Sequence, residues 1–380
     1  MTTSEIMNLF AASYESWFIL LLTAVTCGLI GCFLVLRQLS MISDAISHSV
    51  LLGIVLGYFI AGDLDSPLLI LGAAAIGILT VWSTETLTKT GLVENDDAVG
   101  IIYPFFFAIA VILITRYAGN VHLDTDIVIM GEVILAPLNR VDFLGLSLPK
   151  ALAEMGVLFV ANMIFIGLFF KELKITTFDE QFGHLAGFNA GLLFYALMTL
   201  TSVTTVVAFD AVGAILVVAF IVGPGATAYL ICKDLKQMLW VSVIYSVINA
   251  TVGYVLAIIF NLSMGGMAAT ITGLTFFMTF LFHREGLITS LWLRHQKSVQ
   301  LKRDLVLLHI ASHTAKGEED QELKVGTLNQ HFKWSSRETD QALEDLFKKD
   351  LIRIDSSQDI YQLTQAGRAS LAVIQETYGI

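Results

Sequence analysis

The sequence predicts an all-α polytopic membrane protein that carries a small α+β domain at its C-terminal end. Hydrophobic residues make up 56% of the 380 positions and charged residues only 14%, whereas soluble domains carry about 25% charged residues. Apolar runs of about 20 residues, the length that crosses a bilayer, recur along most of the chain. After about residue 298 the composition becomes charged. We therefore expect a transmembrane domain at 1–298 and a second domain at 299–380.

The apolar runs predict nine membrane-spanning helices. Glycine, alanine, serine and threonine are scattered through them and suit close helix packing in lipid. The predicted spans are 17–36, 41–61, 66–88, 98–117, 151–170, 189–209, 211–231, 238–260 and 265–282.

The distribution of lysine and arginine predicts the orientation, because loops that stay in the cytoplasm are enriched in these residues. If the loop at 171–188 is cytoplasmic, nine lysines and arginines lie on that side and three on the other. We therefore expect a multi-pass protein of the inner (cytoplasmic) membrane, with its N-terminus outside and domain 299–380 in the cytoplasm.

One carboxylate and one imidazole share a face of the second predicted span. Asp44 and His48 are four residues apart, and ionisable side chains within a span usually face a bundle interior or a water-filled path. This donor pair suits Mn²⁺, Fe²⁺ or Zn²⁺. Alternatively, Asp44 lies in the first helical turn, where the helix dipole favours an acid. The spacing leaves both interpretations open. The serines beside the pair are Ser40, Ser43 and Ser47.

Four stretches resemble the metal-ion ABC permeases, the manganese, zinc and iron class. They are Ile42–Gly53, Asp97–Ile102, His122–Glu132 and Val212–Ala228. The resemblance covers about residues 15–285, in the family's order. It implies that Asp44 and His48 coordinate the ion in the translocation pathway, where two permease subunits meet.

The resemblance also implies what is transported and by which partners. We expect a divalent metal as cargo and no permanently bound cofactor. Manganese is favoured because a carboxylate and an imidazole without a thiolate suit a harder ion; zinc and iron remain alternatives. The sequence has no GxxxxGK[ST] phosphate loop, so we expect a transport subunit that is not itself an enzyme. The expected partners are an ABC ATPase subunit, an extracytoplasmic metal-binding protein and a second permease subunit, identical or different.

A polar insertion at 171–188 resembles the cytoplasmic coupling helix that docks into the ATPase. Asp179, Phe182 and Gly187 carry the pattern, and a short amphipathic helix can fill a groove on a partner. The alternative is an ordinary connecting loop.

Two other groups of residues are candidates for the ion's path. Gly223, Pro224 and Gly225 are expected to interrupt a helix, either to line the pathway or as a packing kink. His122, Asp124 and Asp126 lie near a possible outer opening, where they would attract cations, cap helices or help to dock the binding protein. The tail histidines show no ligand-spaced cluster, and we expect them at the surface.

The tail at 299–380 shows helices, two short β patterns and a closing helix, an order typical of a winged-helix domain. It resembles the DNA-binding part of metal-dependent repressors. Its ten basic and thirteen acidic residues give a net charge of −3, which disfavours phosphate contacts. We therefore expect nucleic acid to be an unlikely partner and the tail to contact protein. The alternative functions are a membrane-anchored metal-responsive regulator and an ion-coupled carrier.

Overall fold

The computed structural model describes residues 3–63, 66–117, 133–143, 146–284, 286–316, 322–326, 328, 331–355 and 358–379. They form two compact units, Met1–His283 and Arg284–Ile380. The division falls before the predicted boundary at 298, because one helix of the second unit, Leu287–Lys316, runs through that position.

The first unit is almost entirely helical. Nine helices of the described residues are long and apolar enough to cross a membrane, which confirms the nine predicted spans. The helices are α1 (Thr3–Leu36), α2 (Ser40–Ala61), α3 (Pro67–Lys89), α4 (Asn95–Tyr117), α5 (Lys150–Leu168), α6 (Phe170–Phe178), α7 (Glu180–Leu185), α8 (Ala190–Val212), α9 (Ala214–Ile231), α10 (Leu235–Phe260) and α11 (Met264–Phe282). A 3-10 turn (Ala136–Leu138) and an antiparallel hairpin, β1 (Arg140–Phe143) and β2 (Leu146–Pro149), precede α5.

Helix α1 forms the centre of this unit and packs against α9 and α10. Its side chains Phe33 and Leu34 are fully buried. A Cβ atom added to Gly31 would overlap the backbone carbonyl of Ile221 on α9. Small residues let helix backbones approach closely in lipid, so glycine at this position permits the central contact.

Helices α2 and α3 also approach each other backbone to backbone. Gly53 and Gly57, spaced as in the GxxxG motif of membrane helix pairs, face Gly72 and Leu68 on α3. A Cβ atom on Gly57 would lie 2.7 Å from the carbonyl oxygen of Leu68. The contact fixes α2, which carries the candidate metal ligands, against α3.

The second unit has its own core. Helix α12 (Leu287–Lys316) is followed by α13 (Ser336–Lys348), the antiparallel strands β3 (Ile352–Asp355) and β4 (Ile360–Leu363), and α14 (Gln365–Tyr378). Ser335 and Glu338 form a capping box at the start of α13. The short strand pair does not by itself support the predicted winged-helix assignment. The fully buried core residues include Val306, Leu307, Ile310, Leu346 and Ile360.

Candidate metal pathway

Asp44 and His48 lie on one face of α2, as their spacing predicts. The helix begins at Ser40, so Asp44 opens the second turn, and the first turn contains no acidic residue. The distance between the Asp44 Oδ1 and His48 Nε2 atoms is 3.7 Å, and the side chains are 39% and 44% exposed. Asp44 therefore lies beyond the position at which the dipole interpretation placed it.

The two side chains have different surroundings. The His48 ring stacks on Tyr103 of α4 at 5.5 Å between centroids and meets Phe107 edge-on at 6.0 Å. Asp44 lines a cavity of about 400 Å³, together with residues of α9 and α11. The aromatic rings restrain the imidazole, whereas the carboxylate faces open space. The other residues lining the cavity include Ser40, Met41, Val222, Gly223, Thr272 and Phe276.

Most of the serines beside this pair bond their own helix. Ser43 donates to the carbonyl of Ser40 at 3.0 Å, and Ser47 donates to the carbonyl of Asp44. Such bonds satisfy hydroxyl groups within apolar surroundings. Of the three serines, Ser40 lines the cavity with Asp44.

The predicted interruption at Gly223, Pro224 and Gly225 is wrong, because α9 continues through all three residues. The glycines instead permit close packing. A Cβ atom on Gly225 would lie 3.1 Å from backbone atoms of α1, and one on Gly223 would overlap Thr272 of α11. Gly223 nevertheless lines the cavity that Asp44 faces. The predicted outer residues His122, Asp124 and Asp126 lie outside the described residues.

The predicted coupling segment folds as α6 and α7, two short helices. The Asp179 carboxylate caps α7 by accepting from the amide of Phe182 at 2.8 Å. Phe182 and Leu185 are 57% and 87% exposed. Gly187 ends the turn at a φ of +86°, a left-handed conformation that favours glycine. The segment thus presents an apolar surface that no described part of the chain covers.

Two basic side chains tie this segment to other parts of the first unit, and neither contact is visible in a sequence pattern. Arg37, in the turn between α1 and α2, donates to Thr176 and Thr177 of α6 at 3.3 Å. Lys174 of α6 pairs with Asp234 at 2.6 Å, immediately before α10. Because Arg37 lies three residues before α2 begins, it links the predicted coupling segment to the helix that carries Asp44 and His48.

Comparisons with known proteins identify the family of the chain. A sequence model of the ABC 3 transport family matches residues 11–283. The zinc transport system membrane protein TroD of Treponema pallidum is 41% identical over 337 residues, 88% of this chain and 91% of that protein. The manganese transport system membrane protein MntD of Bacillus subtilis is 42% identical over 281 residues, 73% of this chain and 95% of that protein.

A solved structure, PsaBC from Streptococcus pneumoniae in complex with Fab, has a similar fold. The TM-score is 0.61 at 27% identity, and the match covers 74% of this chain and 96% of that one. The match to TroD is longer than the first unit, which ends at His283. It therefore extends into the second unit.

Proposed function

The chain belongs to the ABC 3 transport family, and we propose that the ion it conducts is Mn²⁺, bound during passage by Asp44 and His48. It is the membrane permease subunit of an importer for a divalent metal. The observation that carries the proposed site is the carboxylate–imidazole pair one turn inside α2, beside a cavity of about 400 Å³. A metal-responsive regulator is not favoured by the relatives, which are named as transport subunits.

The donor types support manganese over zinc. The pair offers one imidazole and one carboxylate, with room for water, and carboxylate and water oxygens suit Mn²⁺, whereas Zn²⁺ is better matched by sites with more imidazole or thiolate donors. Among the described residues, no cysteine lines the cavity. The relatives are named for zinc in one organism and manganese in another, so the family alone does not select the ion.

Two protein ligands make a transient site. A transported ion must leave again, and a pair with a 3.7 Å gap and about two-fifths exposure leaves positions for water. Tyr103 and Phe107 hold the imidazole in place, so the site is oriented before the ion arrives. We infer that the cavity between α2, α9 and α11 forms part of the ion's path.

The apolar surface on α7 is the proposed dock for an ATPase subunit, with Phe182 and Leu185 as its contacts. Asp179 and Gly187 fix the two ends of that helix. A movement of α7 would be transmitted to the adjacent helix α6 and then to α2 through Arg37, because the Arg37 guanidinium donates to Thr176 and Thr177 of α6. An extracytoplasmic metal-binding protein and a second permease subunit complete the proposed importer, and the second unit lies in the cytoplasm.

Uptake of isotopic metal tests the site. A strain that lacks this chain would be complemented with the unchanged chain, Asp44→Ala, His48→Ala or Asp142→Ala, and supplied with Mn²⁺, Zn²⁺ or Fe²⁺. Loss of even an outer-shell partner lowers metal affinity about 10- to 100-fold, so loss of a ligand should reduce uptake at least as much.

Asp142 is an exposed carboxylate in the β1–β2 hairpin, and its variant should transport at the normal rate. The unchanged chain should restore Mn²⁺ uptake more strongly than uptake of the other two ions. Normal uptake by the Asp44→Ala, His48→Ala double variant, present in the membrane at equal amount, would refute the site. Restoration of Zn²⁺ uptake alone would refute manganese and leave the site intact.

A further inference from the structure

The second unit brings three metal-ligating side chains together. His309 of α12, Glu322 and His331 each offer one ligand atom, and these atoms all lie within 4.8 Å of one another. We expected the tail histidines at the surface and without a cluster. His331 is exposed as expected. The expected absence of a cluster is wrong, because the fold brings together three residues that are 13 and 9 positions apart in the sequence.

His309 has an unpartnered nitrogen at this point. Its Nε2 atom is buried and has no hydrogen-bond partner, although buried polar atoms are nearly always paired. The ring lies 5.3 Å from that of His331 and 5.2 Å from that of Phe332, measured between centroids. A buried lone pair beside a second imidazole and a carboxylate is the arrangement that a metal ion would satisfy.

The distances fit a metal with little rearrangement. In a tetrahedral zinc site with bonds of about 2.0–2.1 Å, neighbouring donor atoms are about 3.3 Å apart. Here the His331 Nδ1 and Glu322 Oε2 atoms are 2.8 Å apart, and the remaining pairs lie within 4.8 Å. The spacing of the three donor atoms is therefore close to that of a zinc site, and side-chain shifts of about 1 Å would place an ion between them.

We propose that His309, Glu322 and His331 form a second metal site, which binds a divalent transition-metal ion, with Zn²⁺ as the best fit to two imidazoles and one carboxylate. This set is the composition of open zinc sites that keep a further position for water or another ligand. The site is separate from the transport pair on α2 and does not depend on it. It gives the second unit the ability to bind the class of ion that the first unit transports.

Equilibrium dialysis of the full-length chain in detergent against Zn²⁺ tests the proposal. The reference is the Asp44→Ala, His48→Ala chain, which lacks the proposed transport pair. We expect it to bind one zinc ion that is lost when His309→Ala and His331→Ala are added. Glu322→Gln keeps the size of the side chain but removes a carboxylate ligand, so affinity should fall at least about tenfold.

His295→Ala is the matched control, because His295 is exposed on the same helix as His309. It should bind zinc as the reference does. Zinc binding by the Glu322→Gln chain equal to that of the reference would overturn the proposal, even if the double histidine variant failed to fold. Failure of the reference chain itself to bind zinc would also overturn it. Neither result bears on metal uptake, so the proposed function stands or falls separately.

Discussion

The two proposed metal sites in this chain are built in different ways. Asp44 and His48 come from one turn of a single helix and are about two-fifths exposed beside a cavity. His309, Glu322 and His331 come from three points along the chain, and the Nε2 atom of His309 is buried. The first group has two donors and the second has three.

The difference corresponds to two tasks. A site with few protein ligands and open positions releases its ion readily, while a site with more protein ligands retains it longer. A pair on one helix also moves with that helix, whereas a cluster drawn from separate segments depends on the fold around it. The pair on α2 is therefore suited to transfer, and the cluster in the second unit to occupancy that follows the ion's concentration.

The substitution with the largest expected effect disrupts the site on α2 and leaves the histidine cluster of the second unit intact. In Gly53→Ile, the new side chain must enter the backbone of α3 at Gly72. Overpacking of this kind costs about 1–3 kcal/mol or more, and no rotamer avoids a backbone atom. We expect metal uptake and membrane yield to fall severely while zinc binding by His309 and Glu322 persists.

Gly100→Ile is the control for this substitution. Gly100 lies on α4 with no neighbouring atom within 4 Å of an added Cβ, so the same change should leave yield and uptake near normal. Detergent-solubilised yield, isotope uptake and zinc stoichiometry would be measured on each chain. Equal uptake by the two variants would show that the α2–α3 contact does not support the pair.

A smaller effect is expected from filling the cavity beside Asp44. Gly273→Leu on α11 would place a side chain into the cavity, and its added Cβ meets no atom within 4 Å. Asp44 and His48 keep their positions on α2. We expect the maximal rate of Mn²⁺ uptake to fall about tenfold or more, at normal membrane yield. The control is Gly167→Leu on α5, where an added Cβ also meets no atom within 4 Å. Unchanged uptake in Gly273→Leu would place the ion's path elsewhere.

Breaking the link between α6 and α2 should have a smaller effect than filling the cavity. Arg37→Gln removes the guanidinium that reaches Thr176 and Thr177, and a hydrogen bond to a charged group contributes about 1.5–3 kcal/mol. We expect metal transported per ATP hydrolysed to fall about threefold to tenfold in proteoliposomes containing the ATPase, with metal affinity unchanged. Arg116→Gln, an exposed arginine at the end of α4, is the control. An unchanged ratio in Arg37→Gln would exclude this link from coupling.

The smallest expected effect concerns the start of α13, in the unit that contains the histidine cluster. Lys302 of α12 and the backbone of Ser335 hold the pKa of Glu338 down to about 2, from an ordinary value of 4.5. A lowered folded-state pKa means that this stabilisation is complete above about pH 4.5 and is lost as the pH falls toward 2. Glu338→Gln should therefore speed amide exchange at the start of α13 at pH 7 and have no effect near pH 2.

Glu344→Gln is the control for that comparison. Glu344 pairs with Lys348 at 2.8 Å, and both side chains are about two-thirds exposed. Exposed pairs contribute little, so exchange in this variant should resemble that of the unchanged chain at both pH values. Equal effects of the two substitutions at pH 7 would show that Glu338 does not brace α13 against α12.

The spans and the pair on α2 were predictable from sequence because each depends on local pattern. Hydropathy over about 20 residues marks a span, and residues four apart share a helical face. The wrong prediction of a helix interruption at Pro224 also came from local pattern. Proline removes one backbone hydrogen bond, and close packing against neighbouring helices lets α9 continue regardless.

The remaining contacts could not be predicted because they join residues far apart in the chain. Arg37 meets Thr177 across 140 residues, and His309 meets Glu322 and His331 only through the turns between them. A signal existed in the second case: His309 and His313 are four apart on one helical face, and their rings lie 4.4 Å apart. The spacing within α12 places His309 and His313 on one face, but it does not show that Glu322 lies beside His309.

The glycine contact between α2 and α3 limits how the permease can move. With Gly53 and Gly57 seated on the backbone of α3, the two helices cannot slide past each other without lifting apart. They form one stiff body, and the Asp44–His48 pair travels with it. Exposure of the ion first to one side of the membrane and then to the other would therefore come from tilting this whole body against α9 and α11. In such a movement the spacing of Asp44 and His48 would stay constant, so the affinity for the ion would change through the residues of α9 and α11 that line the same cavity.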